Sequence, residues 1–102
     1  MRRRYLALRV VSEQPVSQRD ITSAFWNTLL QLFGEYGASQ VGFGLIDYNP
    51  QKGEAIVRCS HKALEMVRAS IASITEINEK PATLHVIGVS GTLRALRKKA
   101  LS

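Results

Sequence analysis

Cysteine is nearly absent from this 102-residue chain: Cys59 stands alone, which excludes an internal disulfide and a cysteine-based zinc site. Its place in an alternating apolar run suits a small buried hydrophobe. No apolar run approaches the roughly 20 residues that span a bilayer, and Tyr5 to Val11 is too short and too interrupted for a signal-peptide core. A cytoplasmic location with no membrane partner is therefore expected. Internal repeats and low-complexity tracts are also missing, and 45% hydrophobic with 22% charged residues fits one folded domain over residues 1–102.

Acidic residues are the second gap. Residues 1–11 carry Arg2, Arg3, Arg4 and Arg9 with no acid, and residues 81–102 carry Arg94, Arg97, Lys98 and Lys99 with no acid. The formal charge of +6 thus leaves six basic and eight acidic residues, a net of −2, in the stretch between. A nearly neutral body with cationic ends favours a polyanionic partner, because each phosphate that a cation neutralises releases counterions.

Hydrophobic periodicity orders the rest. Arg4 to Val11 alternates as a strand, with Leu6, Leu8 and Val10 facing inward. Ser17 and Asp20 form an acidic capping box that opens a helix to about Tyr36, stopped by Gly37. Its core stripe is Ile21, Phe25, Leu29 and Leu32. A second line, Trp26, Leu30 and Phe33, makes the apolar arc wider than one sheet requires, which suits either a protein partner or a helix sunk deep in the core with Trp26 filling a corner. Gln40 to Tyr48 reads as a second strand with Val41, Phe43 and Leu45 inward and Gly42, Gly44, Ile46 and Tyr48 outward. Asn49 to Gly53 reads as a hairpin turn, and Glu54 to Ser60 as a third strand with Ala55, Val57 and Cys59 inward. Ser60 is a candidate cap for a helix from about His61 to Ile74, striped by Leu64, Val67, Ile71 and Ile74. After Pro81 comes a fourth strand, in which Leu84, Val86 and Gly88 alternate with His85, Ile87 and Val89. Ser90-Gly91-Thr92 then breaks the run before a helix with Leu93, Leu96 and Ala100 on one side and Arg94, Arg97 and Lys98 on another.

The order βαββαβ plus a terminal helix predicts an α/β sandwich of the ferredoxin-like, RNA-recognition-motif-like kind, with a four-stranded antiparallel sheet and two helices on one face. The other face would present Tyr5, Arg9, Ile46, Tyr48, Ile56, Arg58, His85 and Ile87. That set is too apolar to stay uncovered, so the basic helix, another protein or a nucleic acid must lie on it.

Catalytic constellations are lacking. His61 and His85 have no companions at ligand spacing, so no metal site is assigned. An acylphosphatase-like enzyme, one alternative on this topology, needs a glycine-rich phosphate loop after the first strand, and Ser12-Glu13-Gln14-Pro15 contains no glycine. A small-ligand regulatory module would also suit the topology, but no residue pattern marks its pocket. A free-standing RNA-recognition motif, another alternative, stacks bases on aromatics of its central strands. Here Lys52-Gly53 begins that pattern, but Glu54 and Ile56 occupy the aromatic positions and leave Tyr5 as the comparable ring. RNA contact is thus expected from charge at the termini, aided by the amides around Ser90-Gly91-Thr92.

Three matches in order resemble the Pop-five family of ribonuclease P proteins. These are Arg4-Tyr5-Leu6, the segment Phe33 to Cys59 (FGEYGASQVGFGLIDYNPQKGEAIVRC), and Gly91-Thr92-Leu93-Arg94 with its trailing basic residues. The compact chain is closer to the archaeal form. The resemblance implies a non-catalytic subunit of an RNA-based endonuclease that removes the 5′ leader from precursor tRNA. The RNA subunit would supply the active site with magnesium, and this chain would bind no cofactor. The implied partners are ribonuclease P RNA, precursor tRNA and a TIM-barrel-like subunit of about thirty kilodaltons, in a heterotetramer whose Pop-five-type subunits contact each other. By matching position, Arg4, Arg58, Gly91, Thr92 and Arg94 are the RNA-binding residues carried over; Arg2, Arg3, Arg97, Lys98 and Lys99 join them on charge. Trp26, Leu30, Phe33, Ile46 and Ile56 are the expected protein-interface residues.

Overall fold

The computed structural model describes residues 2–100, with the side chain of Ala100 outside the description; the expected place of Ala100 beside Leu93 and Leu96 therefore lies outside the described residues. The elements are β1 (Arg3–Ser12), α1 (Gln18–Ser39), β2 (Gly44–Asn49), β3 (Glu54–Ser60), a 3-10 turn (His61–Ala63), α2 (Leu64–Ser73), β4 (Glu76–Ile77), β5 (Lys80–Ser90) and α3 (Leu93–Ala100). The strands form one sheet in the order β2-β3-β1-β5-β4, with all described pairings antiparallel. This is the expected α/β sandwich, enlarged by a short fifth strand. Asn78 and Glu79 have φ of 55° and 66°, the left-handed pair of a two-residue hairpin turn, and they fold β4 back onto the start of β5.

One sheet face packs on α1 and α2. Leu6, Leu8, Ile21, Phe25, Leu29, Val41, Val57, Cys59 and Val67 are fully buried there. The Ser17 capping box forms: Asp20 N–H donates to Ser17 Oγ at 3.1 Å and Ser17 N–H to the Asp20 carboxylate at 3.2 Å. The expected end of α1 needs correction. Its break is at Gly34, where φ 73° and ψ 175° leave the helical region, and the chain resumes helix to Ser39. Leu32 is correspondingly 45% exposed instead of joining the core stripe, while Phe33 packs against the core.

Two bulges correct the alternation. β2 shifts register between Leu45 and Asp47, opposite Val57 and Ile56, so Tyr48 pairs with Ala55 and faces the α1 and α2 side, not the outer face. There the Tyr48 hydroxyl donates to Val16 O at 2.7 Å. Burial, and after it the Asp20 carboxylate, raises its pKa. In β5 the pairings Ala7 with Gly88 and Leu8 with Val86 skip Ile87, so Val89 turns toward the main core, opposite Leu6. Alternation alone puts Val89 on the outer face. The proposed Ser60 cap is also corrected: Ser60 makes no side-chain capping bond, and its hydroxyl lies 3.5 Å from Gln40 O.

The second face is covered by α3. Leu96 is fully buried against Ala7 and Ile56, with Tyr5, Ile46, Ile87 and Leu93 around them. Ile56, expected at a protein interface, is 1% exposed beneath the chain's own helix, and Ile46 is half-buried at the margin of that cluster. Among the described residues no helix is long and apolar enough to cross a membrane.

Candidate nucleic-acid interface

The cationic ends meet in space because of strand order. β1 lies between β3 and β5, so the start of β1 is flanked by the end of β3 and the end of β5. Tyr5 pairs with Arg58 on one side and Ser90 on the other, and Arg58 pairs onward with Gly44. Gly44, Arg58, Tyr5 and Ser90 therefore stand in one row across four strands. Two residues further toward the β1 start, Arg3 pairs with Ser60.

Two glycines make room for arginines. A β-carbon placed on Gly44 would lie 3.0 Å from Arg58 Nε and 3.2 Å from its guanidinium carbon, so the Arg58 head rests on bare backbone. A β-carbon on Gly91 would meet an Arg4 guanidinium nitrogen at 3.3 Å. That nitrogen donates to Arg3 O at 3.2 Å. The contact joins Arg4 to the Gly91-Thr92 corner, residues 87 positions away in sequence.

The corner is itself fixed by capping. Thr92 N–H donates to Ser90 Oγ at 3.3 Å, Ala95 N–H donates to Thr92 Oγ1 at 3.2 Å, and Leu96 N–H to Thr92 O at 3.1 Å. Thr92 is thus the cap of α3. From it the helix crosses the sheet: Leu96 sits on Ala7 and Ile56, and Arg97 reaches Asp47 on β2 at 3.5 Å. The β2 bulge makes that ion pair possible, because it sets Asp47 opposite Ile56 on the α3 side. Arg94, Lys98 and Lys99 lie off the buried Leu96 seam and are exposed.

Three ion pairs are present among the described residues: Arg9 with Glu54, Arg68 with Glu65 and Arg97 with Asp47, at 4.0, 4.0 and 3.5 Å. Of the residues assigned to RNA, Arg97 alone faces a carboxylate within that range. Arg2, Arg3, Arg4, Arg58, Arg94, Lys98 and Lys99 have no acidic partner among the described residues. Asp47, Gly44 and their relation to Arg97 and Arg58 escape sequence reading; a glycine beside an arginine on the next strand was the available sign.

The remaining predicted interface residues lie on α1. Trp26 is 36% and Leu30 41% exposed, and Tyr36, not singled out by periodicity, is 80% exposed. Trp26 still touches the core edge-on through Phe43, with ring centroids 6.2 Å apart. Phe33 packs inward. Ile56 and Ile46 are on the opposite side of the sheet and do not join this line.

Comparison with known proteins places these features in context. Residues 4–101 match the model of the Rpp14/Pop5 family. Ribonuclease P protein component 2 of Methanosarcina mazei is 38% identical over 100 residues, covering 98% of this chain and 84% of that protein. The protein of the same name from Pyrococcus furiosus is 34% identical over 101 residues, covering 99% of this chain and 84% of its own. A chain in the cryo-EM structure of yeast ribonuclease MRP superposes with a TM-score of 0.75, covering 91% of this chain and 76% of that one at 18% identity, a likeness of fold.

Proposed function

The chain belongs to the Rpp14/Pop5 family, and on that premise we propose that it serves as a single-domain, cytoplasmic protein subunit of ribonuclease P, binding the phosphates of the enzyme's RNA through its basic ends. The catalytic RNA would carry the magnesium and the cleavage chemistry, with precursor tRNA as substrate. The observation that carries this reading is that Arg3, Arg4 and Arg58 lie at one end of the sheet, with Gly91 against the Arg4 guanidinium, and no carboxylate is paired to them among the described residues. Unpaired guanidiniums held against backbone are preorganised for phosphate, which they can bind bidentately.

The exposed line of Trp26 and Leu30 on α1 supports a second contact, with the TIM-barrel-like protein subunit or with another copy of this chain. The α3-covered face has its own internal partner, so protein pairing is assigned to α1 and not to Ile46 or Ile56.

The test is reconstitution of precursor-tRNA cleavage with the RNA subunit, with and without this chain, beside a direct binding measurement. Replacing Arg94, Arg97 and Lys98 together with alanine should leave the fold intact and weaken RNA binding at low salt. The slope of log affinity against log salt should flatten by about 1 for each phosphate that is no longer neutralised. Arg97 should contribute least of the three, because Asp47 already neutralises part of its charge. Unchanged affinity with an unchanged slope would remove the reading.

A further inference from the structure

A cavity of about 400 Å³ lies beside the proposed RNA surface and is lined by Arg2, Gln40, Ser60, His61 and Lys62. Its volume falls within the range of small-ligand sites. Strand pairing builds it. β3 ends at Ser60 opposite Arg3, and the chain turns at His61, whose N–H donates to Arg2 O at 2.8 Å. Ser60 N–H donates to Val41 O at 2.8 Å, which closes the other wall against the end of α1. The backbone is therefore fixed on both sides, while the Arg2, His61 and Lys62 side chains stay exposed around the opening.

Most of the cavity surface is apolar, and the polar groups around its opening are the ones that suit an anion. The lining includes two basic side chains and an imidazole, and no carboxylate among the described residues. None of the three basic side chains has an ion-pair partner among the described residues. Ser60, 7% exposed, gives its hydroxyl only a 3.5 Å contact to Gln40 O, at the limit of a hydrogen bond. A buried hydroxyl so weakly satisfied is free to turn its proton to a better acceptor.

We propose that this cavity seats one phosphate group of an RNA strand, held by Arg2, Lys62, the His61 ring and the Ser60 hydroxyl. The inference rests on the reading of the chain as an RNA-binding subunit and adds a contact that the basic-end residues do not supply. His61, Lys62, Ser60 and Gln40 carry no role in that reading. The cavity adjoins the Arg3–Ser60 pairing, so a strand lying along the start of β1 would pass its opening.

The experiment compares three forms of the full chain binding one single-stranded oligoribonucleotide across a salt series: the unaltered protein, His61→Ala with Lys62→Ala, and the Arg94, Arg97, Lys98 triple alanine variant. Inorganic phosphate is titrated separately while the backbone amide signals of Ser60, His61 and Lys62 are followed by NMR. Both altered residues are exposed, and a matching thermal transition checks that each variant folds. The expected result is a salt slope about 0.7 shallower for the double variant, equivalent to one single-strand phosphate released from the protein, with inorganic phosphate moving those three amides. A double variant whose slope matches the unaltered protein while the triple variant's falls would overturn the inference and leave the function reading standing. Phosphate-induced shifts without any change in slope would mark a free-anion site and also overturn it. If neither variant changes the slope, the function reading fails first and the inference falls with it.

Discussion

The Cys59 thiol sits on β3 opposite Arg4, with no exposed surface. Burial pushes its pKa up from 9.0 to about 11, and the nearby Arg4 guanidinium pulls weakly the other way. The sign of the consequence follows from proton counting. Between about pH 9 and 11 the unfolded thiol has released its proton and the folded one retains it, so the unfolded state binds fewer protons and stability falls as pH rises. Below pH 9 this contribution is fully present. The expected loss approaches about 2–3 kcal/mol by pH 11, measured by urea unfolding. Tyr48, also raised by burial, adds a slope of the same sign, so the decisive comparison is with Cys59→Ala. Stability of that variant should decline less steeply above pH 9; parallel curves would mean the buried thiol is not the source. Arg4 itself shows how far a residue's surroundings exceed its neighbours in sequence. Its guanidinium faces Gly91, a contact that no local pattern around Arg4 or Gly91 announces.

At the scale of elements, α3 shows most directly how one segment serves two purposes. Leu96 is fully buried between Ala7 and Ile56, while Arg94, Lys98 and Lys99 stay in solvent. Leu96→Ala should cost about 2–4 kcal/mol of stability in denaturant unfolding, the range for a buried leucine that leaves a cavity. Arg94→Ala, from the exposed side of the same helix, should cost under about 0.5 kcal/mol. Near-equal effects would mean that α3 does not rest on the sheet. The amphipathic pattern of this helix is readable in the sequence, and so is the apolar outer face it covers, because both depend on side-chain period alone. Strand pairing around Ile46 and Ile87 is not readable. A bulge adds one residue without changing composition, so alternation carried through it puts Tyr48 and Val89 on the outer face. The same limit hides the Asp47–Arg97 pair, since only the bulge turns Asp47 toward α3. Gly37 reads as the stop of α1, but the chain leaves helical angles at Gly34 and resumes helix to Ser39, which only the backbone angles reveal. β4 is hidden for another reason: two residues are too few for a period, and its turn uses Asn78 and Glu79 without a glycine.

For the molecule as a whole, the division of charge separates what holds the fold from what would bind a partner. Nearly all buried side chains are apolar, and every buried side-chain polar atom among the described residues has a hydrogen-bond partner. The three ion pairs are at 3.5–4.0 Å with at least one exposed member each. Such pairs contribute about 0–1 kcal/mol apiece and are screened by salt. Against them stands repulsion among the arginines gathered at the start of β1 and beside Gly91, which salt also screens. The two effects oppose each other, so folding stability should be nearly indifferent to ionic strength. Between 50 and 500 mM salt the expected change in Tm is a few degrees at most, since about 1 kcal/mol moves a domain of this size by roughly 4–8 °C. RNA affinity over the same interval should fall by orders of magnitude if several phosphates are bound. Calorimetry of the free protein, run in the same buffers as the binding series, measures both responses on one preparation. A Tm that drops by more than about 10 °C with added salt would mean that surface ion pairs, not the apolar core, hold the sheet to its helices. The loss of RNA binding at high salt could then be read as unfolding instead of counterion competition.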